Sequence, residues 1–275
     1  MDLSHVLWIG GGQGSGKSSI ARALARRFDL QLYNVDHRTW EHERRMPDTE
    51  FRLLSMDERW VNATTERMLD WFVVTSRHRF RLVLEDVRGL PPTPMAIVEG
   101  PQLLPTSVSS VLAVPDQALF LIPDAGEQER RLLARGPLPG TSDGVRARAN
   151  ATERDLLISS RIAREARELR LAALPVDRPL DGMVEVVADH FRAAIERGPR
   201  LADLAAVRRI ENDALARQVR LYGESLAPQR LPDEPFAFAC ECGGSGCAEI
   251  VELSLVAYEK ISASGDRSPL RRPTP

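Results

Sequence analysis

The chain has 275 residues, of which 43% are hydrophobic and 28% charged, and its formal net charge is −2. This content is sufficient for a sizeable core, and the small net charge gives no reason to expect nucleic-acid binding. The chain contains no run of about 18 apolar residues, and its first residues lack the basic segment of a signal peptide. We therefore expect a cytoplasmic protein that does not bind membranes.

Short apolar segments alternate with amphipathic segments through the first 198 residues. The alternation predicts an α/β domain, with helices on both sides of a parallel sheet. The predicted strands are residues 5–10, 31–35, 95–98, 118–122 and 174–177. The predicted helices are residues 17–28, 57–90, 124–135, 145–173 and 180–197, of which residues 57–90 and 145–173 each form either one long helix or a pair of helices.

A smaller unit follows Gly198 and Pro199, which end the last predicted helix of the α/β domain. We expect the α/β domain to cover residues 1–198. A small α+β module with one long helix and a group of cysteines would cover residues 199–262. Residues 263–275 are rich in Ser, Pro and Arg, so we expect a disordered tail.

Residues 11–18 form a glycine-rich segment between the first predicted strand and the first predicted helix. Their sequence, GGQGSGKS, matches G-x-x-x-x-G-K-[ST] at every defined position. In such a segment, backbone N–H groups and the lysine contact phosphates, and the final serine holds Mg²⁺. Lysine is rare in this chain, where arginine supplies nearly all basic residues. We expect Mg-ATP to be bound by Gly11, Gly12, Gln13, Gly14, Ser15, Gly16, Lys17, Ser18 and Ser19.

The glycine-rich segment and the layout of residues 1–197 resemble the small P-loop kinases, such as adenylate, shikimate, gluconate and uridine kinases. Two other classes are disfavoured. The only other lysine, Lys260, cannot supply the N-K-x-D segment with which GTPases read guanine, and the L-S-G-G-Q segment of transport ATPases is absent. The resemblance implies a P-loop NTPase fold. It also implies Mg²⁺-dependent transfer of the ATP γ-phosphate to a small molecule or nucleotide, with Lys17 as a catalytic residue.

Acidic residues follow two of the predicted strands, at the sheet edge where ligands bind in open α/β folds. Asp36 follows residues 31–35 and could orient or deprotonate the acceptor hydroxyl. Glu99 follows residues 95–98, in the position of the Walker B acid, and could hold Mg²⁺ together with Ser18. The alternatives are that Asp36 is an exposed turn or capping residue and that Glu99 is a surface carboxylate.

An arginine-rich stretch follows the Gly/Pro-rich loop of residues 136–144, where small kinases carry a closing lid. Arg154 and Arg161 are seven residues apart and share one helix face, so they are our candidates for stabilising charge on the transferred phosphoryl group. The alternative is that these arginines are surface cations, because arginine is the common basic residue of this chain.

Three cysteines, Cys240, Cys242 and Cys247, lie within the sequence FACECGGSGC. The intervening glycines allow a tight loop that could bring the thiolates together around Zn²⁺, with Glu241, Glu249 or water as the fourth ligand. The alternative is a glycine-rich turn with buried or reactive thiols. Residues 209–259 resemble a small C-terminal module of high-GC bacterial proteins, which is sometimes attached to unrelated domains. The resemblance implies binding or regulation, including contact with a protein partner.

Three functions fit these features. The first is a small-molecule or nucleotide kinase with an accessory module. The second is an ATP-hydrolysing regulatory switch whose cysteine module senses metal or thiols. The third is a toxin-type kinase that acts on a nucleotide sugar.

Overall fold

The computed structural model describes residues 3–199, 203–225 and 233–271. The strands are β1 (Val6–Gly11), β2 (Gln31–Asn34), β3 (Ala96–Glu99), β4 (Ala118–Pro123), β5 (Ala172–Val176), β6 (Phe236–Ala239) and β7 (Ile250–Leu253). The helices are α1 (Lys17–Arg27), α2 (Thr39–Arg45), α3 (Glu50–Leu53), α4 (Thr65–Arg88), α5 (Pro105–Val108), α6 (Ala125–Leu133), α7 (Gly144–Glu168), α8 (Leu180–Arg197), α9 (Leu204–Ser225) and α10 (Leu255–Ser264). Within these ranges, no helix has both the length and the apolarity needed to cross a bilayer.

Strands β1 to β5 form one parallel sheet in the order β2-β3-β1-β4-β5. Side chains of successive strand residues point to opposite faces, so Val6 and Trp8 of β1 join one apolar cluster and Leu7 and Ile9 join another. Helices α4 and α7 cover the first cluster, and α1 and α8 cover the second. The alternation of strands and helices therefore predicted the α/β fold class correctly.

The helix predicted for residues 57–90 begins later than expected. A π-helical turn (Glu58–Asn62) comes first, and α4 begins only at Thr65. The side chain of Thr64 accepts a hydrogen bond from the backbone N–H of Arg67 (3.3 Å), which is the geometry of a helix N-cap. The cap separates the turn from α4, so the two segments can take different directions.

The C-terminal module consists of α9, the antiparallel hairpin of β6 and β7, and α10. It has its own apolar cluster, in which the rings of Phe238 and Tyr258 stack with centroids 4.2 Å apart. Leu270 is fully buried in the same cluster. The sequence predicts a disordered tail from residue 263, whereas α10 extends to Ser264 and Leu270 returns the following segment to the cluster. Residues 272–275 lie outside the described ranges.

Helix α9 packs against β2, which is an edge strand of the five-stranded sheet. Glu211 of α9 accepts a hydrogen bond from the backbone N–H of Leu32 (2.9 Å). Two arginines neutralise its buried carboxylate, Arg26 of α1 at 2.7 Å and Arg208 of α9 at 2.8 Å. Because an edge strand exposes unpaired backbone groups, this contact both satisfies a donor and covers the edge.

Candidate functional site

The glycine loop, residues 11–18, joins the carboxyl end of β1 to the first turn of α1. Gly11, Gly14 and Gly16 have φ values of 132°, 78° and 83°, which L-amino acids with side chains rarely adopt. A Cβ atom at Gly11 would lie 2.2 Å from the carbonyl oxygen of Leu121 in β4. The glycines are therefore required both by the backbone path and by the close approach of β4.

The glycine loop borders a cavity of about 320 Å³, which we call the glycine-loop cavity. Its lining carries three cationic side chains, Lys17, Arg131 and Arg135, against one acid, Asp36. This excess of positive charge, next to a helix N-terminus, suits an anionic ligand. Six of the nine predicted nucleotide-binding residues line the cavity, and three do not. The six are Gln13, Gly14, Gly16, Lys17, Ser18 and Ser19, and the three are Gly11, Gly12 and Ser15.

Lys17 is held inside the glycine loop and is only 5% exposed. Its ammonium group donates a hydrogen bond to the carbonyl oxygen of Gly12 at 2.8 Å. Burial lowers the pKa of Lys17, and the nearby carboxylates of Glu99, Asp36 and Asp155 oppose that shift. One buried cation thus lies among three acids that come from distant parts of the sequence.

Glu99 ends β3, in register with Ile9 of β1 and Asn34 of β2. It is 1% exposed, and within the described part of the chain its carboxylate oxygens make no hydrogen bond of good geometry, although the Ser18 hydroxyl lies close enough to oppose the rise of its pKa. Burial raises the pKa of Glu99 to about 7, against the attraction of Lys17 and together with the repulsion of Asp36. Glu99 does not line the glycine-loop cavity, but its charge acts on Lys17, which does. A buried carboxylate with so little hydrogen bonding is costly, so its position behind Lys17 and Ser18 fits coordination of a cation or its water shell.

Asp36 lies in the 3-10 turn (Val35–Arg38) that follows β2. The side-chain oxygen of Asn34 accepts hydrogen bonds from the backbone N–H groups of Asp36 (2.8 Å) and His37 (3.2 Å), which fixes the turn. The buried Arg79 of α4 donates to the carbonyl oxygen of Val35 at 2.8 Å. These contacts hold the backbone of Asp36 while its side chain borders the glycine-loop cavity.

A second cavity, also of about 320 Å³, lies between α4, α7 and the π-helical turn, and we call it the aromatic cavity. Four aromatic rings line it, together with a mixture of basic and acidic side chains. The rings are Phe51, Trp60, Trp71 and Phe72, the basic residues are Arg79, Arg135, Arg148 and Arg154, and the acidic residues are Asp36, Glu43 and Asp155. The two cavities meet, because both are lined by Gln13, Asp36, Pro101 and Arg135.

The structure separates the two arginines that the sequence selected. Arg154 lines the aromatic cavity, bonds the carboxylate of Asp155 at 2.6 Å and lies 4.8 Å from the ring centroid of Trp60. Arg161 lines neither cavity and bonds Glu165 at 2.7 Å instead. The structure therefore brings Arg154 to the site and does not bring Arg161 there.

Sequence reasoning missed several charged residues of the site, among them Arg131, Arg135 and Asp155. Arg131 also donates to the carbonyl oxygen of Gly14 at 3.3 Å. Both arginines lie before the Gly/Pro-rich loop, whereas the resemblance directed attention to the stretch after it. Asp155 is one of four acidic residues of α7, so its local sequence does not distinguish it.

The three cysteines converge in the connection between β6 and β7. The sulfur atoms of Cys240, Cys242 and Cys247 all lie within 4.8 Å of one another, and the thiols are not joined by disulfides. Burial opposes ionisation of Cys242, but hydrogen bonds from Gly244 N–H and the neighbouring thiols outweigh it and lower its pKa. Burial also raises the pKa of Cys247, to about 11. This group of thiols can hold a metal ion.

Comparison with known proteins does not assign this chain to a family. No protein-family model matches it, and the search of curated proteins found no match to it.

Proposed function

We propose that this chain transfers the γ-phosphoryl group of ATP, with Mg²⁺, to a hydroxyl group of a small molecule. The observation that carries the proposal is the junction of the two cavities at Asp36. One cavity has the lining expected for a phosphate chain and the other has room for a second molecule. A hydrolytic switch needs only the first cavity, because water is its acceptor.

The glycine loop provides the binding surface for the triphosphate in this proposal. Lys17 neutralises phosphate charge from within the loop, and Arg131 and Arg135 add positive charge to the lining of the same cavity. ATP supplies the phosphoryl group, and Mg²⁺ would be held by Ser18 and Glu99, whose hydroxyl and carboxylate groups lie close to each other. Positioning and charge neutralisation account for most of the catalysis in such reactions.

Asp36 is the proposed general base. Its turn is fixed by Asn34, and its carboxylate borders both cavities, so it can accept a proton from a hydroxyl group held in the aromatic cavity. The proton leaves the acceptor oxygen as that oxygen bonds to phosphorus, and the ADP oxygen departs. Arg154 is proposed to position the acceptor rather than the triphosphate, because it lines only the aromatic cavity.

Product analysis tests the proposal. Purified protein would be incubated with Mg-ATP and a pool of metabolites, and phosphorylated products would be identified by mass spectrometry. Lys17→Ala should abolish ATP binding measured by calorimetry, and Lys260→Ala, at an exposed lysine, is the matched control. Asp36→Asn should retain ATP binding and lose transfer, with the exposed Asp70→Asn as its control.

Two results would reject phosphoryl transfer. Absence of affinity for ATP in the wild-type protein would remove the nucleotide site altogether. Release of ADP and free phosphate only, stimulated by a protein partner, would favour the hydrolytic switch.

We further propose that the ion of the three cysteines is Zn²⁺, which thiolates bind tightly. The support is the convergence of the three sulfur atoms on one point of the C-terminal module. Metal analysis of protein purified without an affinity tag should find about one zinc per chain. Protein that carries no metal, and takes up none from added Zn²⁺, would reject this cofactor.

A further inference from the structure

The loop that carries the three cysteines also contacts the α/β part of the chain. Asp29 follows α1 with a φ of 56°, and its carboxylate faces this loop. One carboxylate oxygen accepts a hydrogen bond from the Ser245 hydroxyl at 2.5 Å, and the other accepts one from the backbone N–H of Gly246 at 2.9 Å. Hydrogen bonds to a charged acceptor are stronger than neutral ones. The cysteine loop and the end of α1 are therefore joined directly.

The cysteine loop is rich in glycine and partly exposed. It contains three glycines, and Gly243 and Gly246 have φ values of 75° and 70°. Ser245 and Gly246 are exposed. Glycine loses more conformational entropy on ordering than any other residue, so a cross-link would add to the order of a loop of this composition. Three thiolates bound to one ion provide such a cross-link. Tetrahedral Zn–S bonds of about 2.3 Å place the sulfurs about 3.8 Å apart, and the three sulfurs already lie within 4.8 Å of one another.

The carboxylate between two of the cysteines is committed elsewhere. Glu241 accepts a hydrogen bond from the Asn212 side chain at 2.9 Å and pairs with Arg267 at 3.0 Å. Among the described residues, no further His, Cys, Asp or Glu joins the three cysteines. The chain thus offers three thiolates, and the fourth position is left to water or an added ligand.

Helix α9 connects the cysteine loop to the Asp36 turn. Near its beginning, Arg208 donates to the carbonyl oxygens of Ala25 (3.0 Å) and Leu30 (2.9 Å), at the same end of α1 as Asp29. Further along, the side-chain oxygen of Gln218 accepts a hydrogen bond from the backbone N–H of Trp40 at 3.1 Å. Helix α9 therefore contacts the chain on both sides of Asp36.

We propose that the ion bound by the three cysteines fastens the C-terminal module to the end of α1 and thereby supports the turn that carries Asp36. The inference rests on the zinc proposed above and is independent of phosphoryl transfer. Ion binding orders the cysteine loop, and the ordered loop keeps its hydrogen bonds to the carboxylate of Asp29. Helix α9 then stays packed along β2 and the turn that carries Asp36.

Thermodynamic linkage supplies the test. If the ion strengthens the contact with Asp29, loss of that contact must weaken ion binding by the same factor. We expect Asp29→Asn to bind Zn²⁺ about tenfold more weakly than the wild-type full-length protein, in competition with a chromophoric chelator. Asp70→Asn should bind Zn²⁺ as the wild type does. Equal affinity of the wild type and Asp29→Asn would overturn the coupling.

Hydrogen exchange provides a second readout that does not depend on any variant. Removal of zinc from the wild-type protein by a chelator should speed exchange at the backbone N–H groups of Leu32, Asp36 and Trp40. Amides inside α8 should exchange at an unchanged rate. Unchanged exchange along residues 29–40 would overturn the support of the turn, and failure of the wild type to bind Zn²⁺ would overturn the ion site. Neither result depends on ATP binding or transfer.

Discussion

Replacement of Glu99 by glutamine should stabilise the ligand-free protein, and the gain should depend on pH. Glu99 is buried, and burial raises its pKa to about 7. Glutamine has nearly the same shape and carries no charge. Glu99→Gln therefore resembles the protonated form of the wild-type site at every pH.

The size of the effect follows from the pKa shift. A carboxyl group whose pKa rises from 4.5 in the unfolded chain to about 7 in the folded chain favours folding only while it is protonated. This contribution is complete below pH 4.5 and is lost as the pH rises through 7. A shift of about 2.5 units corresponds to about 3 kcal/mol. Relative to wild type, the variant should gain about 3 kcal/mol at pH 9 and less than about 1 kcal/mol at pH 5.

Urea denaturation of the ligand-free proteins across this pH range measures the difference directly. The exposed Glu129→Gln is the control, and its difference from wild type should be small at every pH. A difference between Glu99→Gln and wild type that does not change with pH would refute the reasoning. So would a loss of stability at pH 9. If Glu99 holds Mg²⁺, the same variant should also lose Mg²⁺-dependent ATP binding.

Three further changes test separate parts of the site. Arg135→Ala should weaken ATP binding by about tenfold or more in calorimetry, whereas Arg161→Ala should leave it unchanged. Gly12→Ala places a Cβ 2.1 Å from the Ser159 hydroxyl, so it should lower stability by about 1 to 3 kcal/mol in urea denaturation, and added Ser159→Ala should restore part of the loss. Asn34→Ala removes the cap of the Asp36 turn, so it should cost about 1 kcal/mol and slow transfer. Equal ATP affinity of Arg135→Ala and Arg161→Ala would count against the role of Arg135 in binding ATP. A double variant no more stable than Gly12→Ala would count against the clash with Ser159, and a wild-type transfer rate in Asn34→Ala would count against the role of Asn34 in holding Asp36.

The C-terminal module bears on the site through contacts that the sequence did not indicate. Sequence reasoning treated the module as an accessory whose role was binding or regulation. In the folded chain, Glu211 satisfies a backbone donor of the edge strand β2, and Gln218 holds the segment after the Asp36 turn. These two residues have no distinguishing local sequence, because their roles depend on partners roughly 180 positions away along the chain.

Residues with strong local constraints were placed correctly from sequence alone. The glycines of residues 11–18 mark a turn because their positive φ angles exclude most other residues, and the apolar segments beside them follow strand and helix periods. The positions of Asp36 and Glu99 at the carboxyl end of the sheet followed from the same reasoning, since each comes directly after a predicted strand. Local chemistry was sufficient for these features.

Sequence reasoning did not predict which part of a long helix lies beside the site. Arg154 and Arg161 share a helix face by spacing, yet only Arg154 reaches a cavity, because α7 is long enough to pass beyond the site before Arg161. Asp155 lies on α7, which packs on β1 and β4, and Arg135 follows α6, which packs on α7, so both reach the site through helix packing. Backbone turns and strand ends are set by neighbouring residues, whereas the charges that surround Lys17 are brought together only when distant helices pack.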